Sequence, residues 1–223
     1  MMRVQRARER RRRILTWSIS GVVVAAILAV ITVTLVVNAK PGSSTSAAGS
    51  TDVPTTPSVV AVGASTAPPW AAPADPTARV KAAGLGMLTS EGTVEHIHSH
   101  LSVTVDGKGV QVPALLGIDE TAQTISPLHT HDTTGIIHIE SPVKATFTLG
   151  EVFTEWNVAL DATHIGSLGG SDGQTVTVFV NGKKTSGDPA AITLAEHEDI
   201  DIVVTSSATT ATAPAAFNWP SGY

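Results

Sequence analysis

The hydrophobic and polar positions divide the chain into four kinds of pattern. The first is a charge-free apolar run over residues 14–39, rich in Val, Ile, Leu and Ala and with no polar face. As a helix it reaches about 39 Å, and roughly 20 such residues already cross a bilayer core. The second is alternation with period two. Residues 103–112 (VTVDGKGVQV) and 176–185 (VTVFVNGKKT) alternate around Asp106-Gly107 and Asn181-Gly182, the dipeptides that tight hairpin turns favour. Residues 135–140 (GIIHIE) and 199–205 (DIDIVVT) add two further strands.

The third pattern is helical. In residues 147–158 (FTLGEVFTEWNV), Leu149, Val152, Phe153 and Trp156 recur at i, i+3, i+4 and i+7. Thr148 precedes the run and Glu151 follows three residues later, which predicts a capping box. The fourth is the absence of any period. Residues 40–78 and 206–223 are dominated by Pro, Ser, Thr, Ala and Gly, too poor in large apolar groups to offset chain entropy. They read as a disordered stalk and a flexible tail, the latter carrying Phe217 and Trp219 as groups able to dock. Between them, residues 79–205 form one folded domain. Hairpin, strand, helix, hairpin, strand predicts an α+β fold, a small mixed or antiparallel sheet with one packed helix in β-grasp-like order. A small β-sandwich is the alternative.

Charge orients this arrangement. Residues 1–13 hold seven arginines and one glutamate, which places that end in the cytoplasm and makes residues 14–39 a transmembrane signal anchor. The expectation is a single-pass plasma-membrane protein with its C-terminal domain extracytoplasmic. Cleavage near Ala39 would instead release a secreted domain. The net charge of −5 becomes −11 once the first thirteen residues are set aside. Such an acidic ectodomain disfavours nucleic acid as a partner and favours cations. The chain has no cysteine, so it carries neither disulfides nor thiolate ligands.

Six of the eight histidines fall between His96 and His138. On a strand, His96, His98 and His100 share one face, with neighbours about 6.8 Å apart, while Ile97, Leu101 and Val103 face the other way. His129 and His131 form a second H-x-H pair with Asp132 beside them. His138 and Glu140 share a face of the following strand. Pairing of the His138 strand with the His96–His100 strand would gather ligands from both on one sheet face. Imidazoles with adjacent carboxylates suit Zn or Cu(II), and the lack of cysteine, with Met87 the one methionine of the ectodomain, disfavours Cu(I). The candidate metal ligands are therefore His96, His98, His100, His129, His131, His138, Glu140 and Asp132. His164 and His197 read as solitary hydrogen-bonded residues of the surface or core, His197 in the solvated acidic turn EHED.

The motifs H-x-H-x-H-L (residues 96–101) and L-H-T-H-D-x-x-G-I-I-H-I-E-S (residues 128–141) resemble those of a group of uncharacterised extracytoplasmic bacterial proteins. TLGEVFTEW and FVNGK resemble that group as well. The resemblance implies a shared domain and brings no activity with it. The strand-borne H-x-H is also similar to that of copper-zinc superoxide dismutases, α-type carbonic anhydrases and cupins, though the chain departs from each. It lacks the dismutase disulfide and the remaining anhydrase landmarks, and Thr134 and Gly135 stand where cupins place a glutamate. Three readings follow: a non-catalytic domain that captures or presents Zn or Cu(II), a His-ligated hydrolytic or redox metalloenzyme, and an envelope scaffold with structural histidines. The absence of a nucleophile elbow, phosphate loop or dinucleotide fingerprint leans against an enzyme.

Overall fold

The computed structural model describes residues 53–170 and 173–223. The basic segment, the expected anchor over residues 14–39 and the start of the stalk lie outside the described residues. Among the described residues no helix is long and apolar enough to cross a membrane.

The fold is α+β, a sheet-rich body with two helices. A short helix α1 (Pro76–Ala82) comes first, with Pro76 at its start and Asp75 accepting from Ala78 N as its cap. Its first three residues fall in the expected stalk and the rest in the expected domain, and its single buried apolar side chain, Val80, gives no readable period. Strand β1 (Glu95–Val105) follows and turns through Asp106 (φ 48°) and Gly107 (φ 76°) into β2 (Lys108–Val110). Two positive φ values in succession are the backbone of a type I′ turn, as the Asp-Gly pair predicts. Short strands β3 (Ile118–Asp119), β4 (Thr124–Ile125) and β5 (Leu128–His129) precede β6 (Ile136–Ser141).

Helix α2 (Leu149–Trp156) carries the predicted capping box. Thr148 accepts from Glu151 N, and the Glu151 carboxylate accepts from Thr148 N. Asn157, in the left-handed conformation, ends it. Strands β7 (His164–Ile165), β8 (Leu168–Gly169), β9 (Gln174–Val180), β10 (Lys183–Lys184) and β11 (Glu198–Ser206) complete the chain of elements. The β9–β10 turn repeats the first, with Asn181 at φ 50° and Gly182 at φ 73°.

One seven-stranded sheet organises the domain in the order β10-β9-β11-β1-β6-β5. β1 and β11 run parallel at its centre, from Ser99 opposite Glu198 to Val105 opposite Val204. The other edge of β1 is shared, with β6 along residues 95–100 and β2 along residues 103–105. Alternation then sorts the side chains. Leu101, Val103, Ile137, Ile139, Ile200, Ile202 and Val204 turn to one face and pack with Leu149, Val152, Phe153 and Trp156 of α2 in the core. The opposite face receives the histidines.

Two expectations are corrected here. The stalk expected over residues 40–78 is, from residue 53 onward, a strap laid along α2. Ser58 N donates to Glu151 Oε1 (3.1 Å), Val62 N to Thr154 Oγ1 (2.8 Å) and Ala64 N to Asn157 O (3.0 Å). Trp70 is buried edge-on against Trp156, whose indole N–H donates to Trp70 O. A β-carbon on Gly63 would come within 2.3 Å of Val158 C, so only glycine permits the approach. The strap is held by backbone bonds to polar groups of α2, which a count of apolar residues does not register. The tail expected over residues 206–223 is the second correction. It crosses the histidine face, with Phe217 N donating to Asp199 Oδ2 (2.8 Å) and the Phe217 ring stacked on His100 at 3.7 Å.

Candidate metal centre

Register builds the site. His98 lies opposite His138 across the β1–β6 pair, and His138 lies opposite His129 across β6–β5. His96 lies opposite Glu140 in the same ladder. Three adjacent strands therefore deliver their polar face to one place, as the pairing expectation required. Ring centroids are 4.7 Å apart for His98–His138, 5.1 Å for His129–His138, 4.5 Å for His131–His138 and 4.8 Å for His129–His131.

Three sets of ligand atoms lie within 4.8 Å of one another: His129, His131 and His138; His96, His98 and Glu140; and Glu91, His129 and Glu140. The structure thus brings together His96, His98, His129, His131, His138 and Glu140. It leaves out two candidates. His100 is held between Asp199 Oδ1 (Nδ1, 2.7 Å) and the Thr134 carbonyl (Nε2, 3.2 Å), so both ring nitrogens already face acceptors. Gly135 backs that ring, since a β-carbon there would lie 3.1 Å from His100 Nε2. Asp132 turns its Oδ1 to Thr134 N (2.8 Å) and Thr134 Oγ1, closing a local loop. Neither belongs to the three ligand sets.

Within the cluster the acceptor geometry is set. His129 is fully buried, and its Nδ1 meets Ser126 O at 2.9 Å. The carbonyl only accepts, so Nδ1 carries the proton and Nε2 presents a lone pair. That Nε2 has no hydrogen-bond partner, and neither does Glu140 Oε2, which lies 4.0 Å away. Two ligands on a tetrahedral Zn stand roughly 3.3 Å apart, a modest contraction from that distance. Glu140 Oε1 lies 3.1 Å from His138 Nδ1 and 3.5 Å from His96 Nε2. A hydrogen bond from His138 Nδ1 leaves its Nε2 free, the arrangement by which a carboxylate orients a metal-binding imidazole.

The electrostatics favour uncharged donors. Burial, then the neighbouring His138 and His96, lowers His98 to about 4. Burial lowers His129 to about 3 and His138 to about 4, with neighbouring rings adding to both effects. Burial, then the Glu91 carboxylate, raises Glu140. The rings are therefore neutral near pH 7, and the contact between His138 and Glu140 is a hydrogen bond rather than an ion pair. Neutral imidazoles around a carboxylate short of a countercharge match the protonation state that metal ligation requires.

Compared with protein-family models, curated proteins and solved structures, the chain gives no match. The site must be read from its own geometry.

Several participants carried no sequence signal. Glu91 lies in a loop, 3.5 Å from His131 Nε2. Ser126 receives His129 Nδ1 on its carbonyl while its Oγ donates to Glu155 Oε1 (2.6 Å) on α2. Glu155 is buried, which pushes its carboxyl well above the usual range. Tyr223 brings its ring to 4.9 Å from His98 and 5.7 Å from His138. Only tertiary placement reveals these roles. The rings converge, contrary to a scaffold whose histidines face apart.

Proposed function

We propose that this protein is a membrane-anchored, extracytoplasmic metal-binding protein that captures or presents Zn or Cu(II) without catalysing a reaction. Residues 14–39 would hold it in the plasma membrane, with residues 1–13 in the cytoplasm. The reading of the motifs over residues 96–101 and 128–141 as those of an extracytoplasmic bacterial group belongs to the same proposal. So does a β-grasp-like scaffold: taken in chain order, the long strands β1, β6, β9 and β11 are ordered second, first, fourth, third, with the helix between second and third.

One observation carries the function. His129 Nε2 and Glu140 Oε2 are buried, unpartnered and 4.0 Å apart, with His131 and His138 beside His129. Leaving two buried polar atoms unpaired costs about 1–3 kcal/mol each, and a shared cation removes both costs. His129, His131 and His138 supply three imidazoles, and Glu140 Oε2, 4.0 Å from His129 Nε2, is the candidate for a fourth donor, a set that suits Zn or Cu(II). A fourth protein donor would close the coordination sphere, which favours binding over catalysis.

The test is metal analysis of the full-length chain, purified in detergent without an affinity tag of histidines. Stoichiometric Zn or Cu, lost in a His129→Ala, His131→Ala double variant, is the expected result. Metal-free protein whose melting temperature does not move on adding either ion would overturn the proposal.

A further inference from the structure

Glu140 sits on β6, between β1 on one side and β5 on the other. Its two oxygens divide between those flanks. Oε2 looks toward His129 on β5 at 4.0 Å, and Oε1 toward His96 on β1 at 3.5 Å. Two of the ligand sets fall on opposite sides of this carboxylate and have no histidine in common: His129, His131 and His138 on one side, His96 and His98 with Glu140 on the other.

We propose that the site holds two divalent cations bridged by the Glu140 carboxylate, the second bound by His96 and His98. The inference rests on the metal-binding reading above and extends it to a second ion. A first ion on His129, His131, His138 and Glu140 Oε2 leaves His98 without a role. That ring is buried, and one of its nitrogens lies within 4.8 Å of ligand atoms of His96 and Glu140. The 3.5 Å between His96 Nε2 and Glu140 Oε1 is close to the roughly 3.3 Å between two ligands on a tetrahedral ion.

Charge permits two ions. Glu140 lies between them, and Glu91 stands against the first set, near His131. Glu196 stands behind the second, its Oε2 accepting from His98 N at 3.1 Å. Carboxylate bridging is also the usual way two transition ions are held about 3.5–4 Å apart. His96 is half exposed, so the second ion has a route from solvent, whereas His129 is sealed. The inner ion is therefore the slower to exchange.

The full-length chain in detergent, stripped and titrated with Zn, separates the possibilities. Two ions per chain are expected, falling to one in His96→Ala and to one in His131→Ala. Both replaced side chains are partly exposed, and circular dichroism confirms that each variant is folded. With Cu(II), the wild-type chain is expected to give a magnetically coupled pair by electron paramagnetic resonance. His96→Gln is expected to give an isolated Cu(II) signal. One ion in the wild type, kept by His96→Ala and lost by His131→Ala, overturns the second site and leaves the first standing. Two ions retained in His96→Ala, or two uncoupled Cu(II) signals, also overturn the bridged pair. No bound ion at all overturns the metal-binding reading itself.

Discussion

His129 Nε2 and Glu140 Oε2 face each other across 4.0 Å with no hydrogen bond to either. The pair marks where a positive charge is missing from the buried part of the polar face. Glu140→Gln keeps the volume and removes the charge. Zn affinity should fall by more than the roughly 10–100-fold that losing an outer-sphere partner costs, because Glu140 is itself a donor. Since burial raises the Glu140 carboxyl, its ionised form costs stability near pH 7, and the metal-free variant should melt no lower than the parent. Isothermal titration and thermal melts together check both halves.

Ser126 ties the site to α2. Its carbonyl fixes the His129 tautomer, while its hydroxyl is anchored on Glu155. Ser126→Ala keeps the carbonyl but releases its clamp, so His129 should lose orientation rather than chemistry. Zn affinity should drop roughly 10-fold with stoichiometry unchanged, the lower end of the range for such supporting contacts. A loss of stoichiometry would mean that Ser126 does more than position the ring.

Acid should destabilise the metal-free protein through its buried rings. His98 and His138 titrate at about 4 in the fold and His129 at about 3, against 6.5 for an unperturbed ring. Above pH 6.5 the rings are neutral in both states. Below it the unfolded chain takes up protons that the native rings refuse, so stability falls as pH drops from 6.5 toward 4. Glu140, Glu151 and Glu155 are raised and act with the opposite sign, stabilising at low pH and losing that contribution as pH rises through their folded values. Comparison with His129→Asn isolates the ring: its melting temperature should fall less steeply between pH 6.5 and 4. Parallel slopes would contradict the assignment.

The tail should slow exchange of bound metal. Phe217 stacks on His100, Trp219 packs on His197 and Tyr223 leans on His98 and His138. Phe217→Ala removes a stacked pair worth about 0.5–1.5 kcal/mol and should loosen the tail. Transfer of Zn to a chromogenic chelator should accelerate several-fold, with the equilibrium affinity nearly unchanged.

The strap is part of the domain's stability. Trp70→Ala removes a buried indole packed on Trp156 and should cost roughly 3–5 kcal/mol. Thr148→Ala, which removes the α2 cap, should cost about 1 kcal/mol. Denaturant unfolding ranks the two. If Trp70→Ala proves as mild as the cap variant, the strap contributes little.

The sequence by itself determined the local elements and which side chains share a face. Asp106-Gly107 and Asn181-Gly182 dictate their turns because they tolerate positive φ. Thr148 and Glu151 dictate a helix start because their side chains satisfy its free N–H groups. Alternation in EHIHSHL and GIIHIE puts histidines opposite isoleucines, since a strand repeats every two residues. These outcomes depend on neighbours a few residues apart. Tertiary structure decided everything that depends on pairing between distant segments. β1 to β6 register put His98 against His138, β5 brought His129 alongside, and the parallel pairing of β1 with β11 left His100 to Asp199. Glu91 and Tyr223 meet His131 and His98 across dozens of residues. The strap and tail are held by backbone hydrogen bonds and ring stacking, which composition does not encode, so segments that read as disordered became part of the fold.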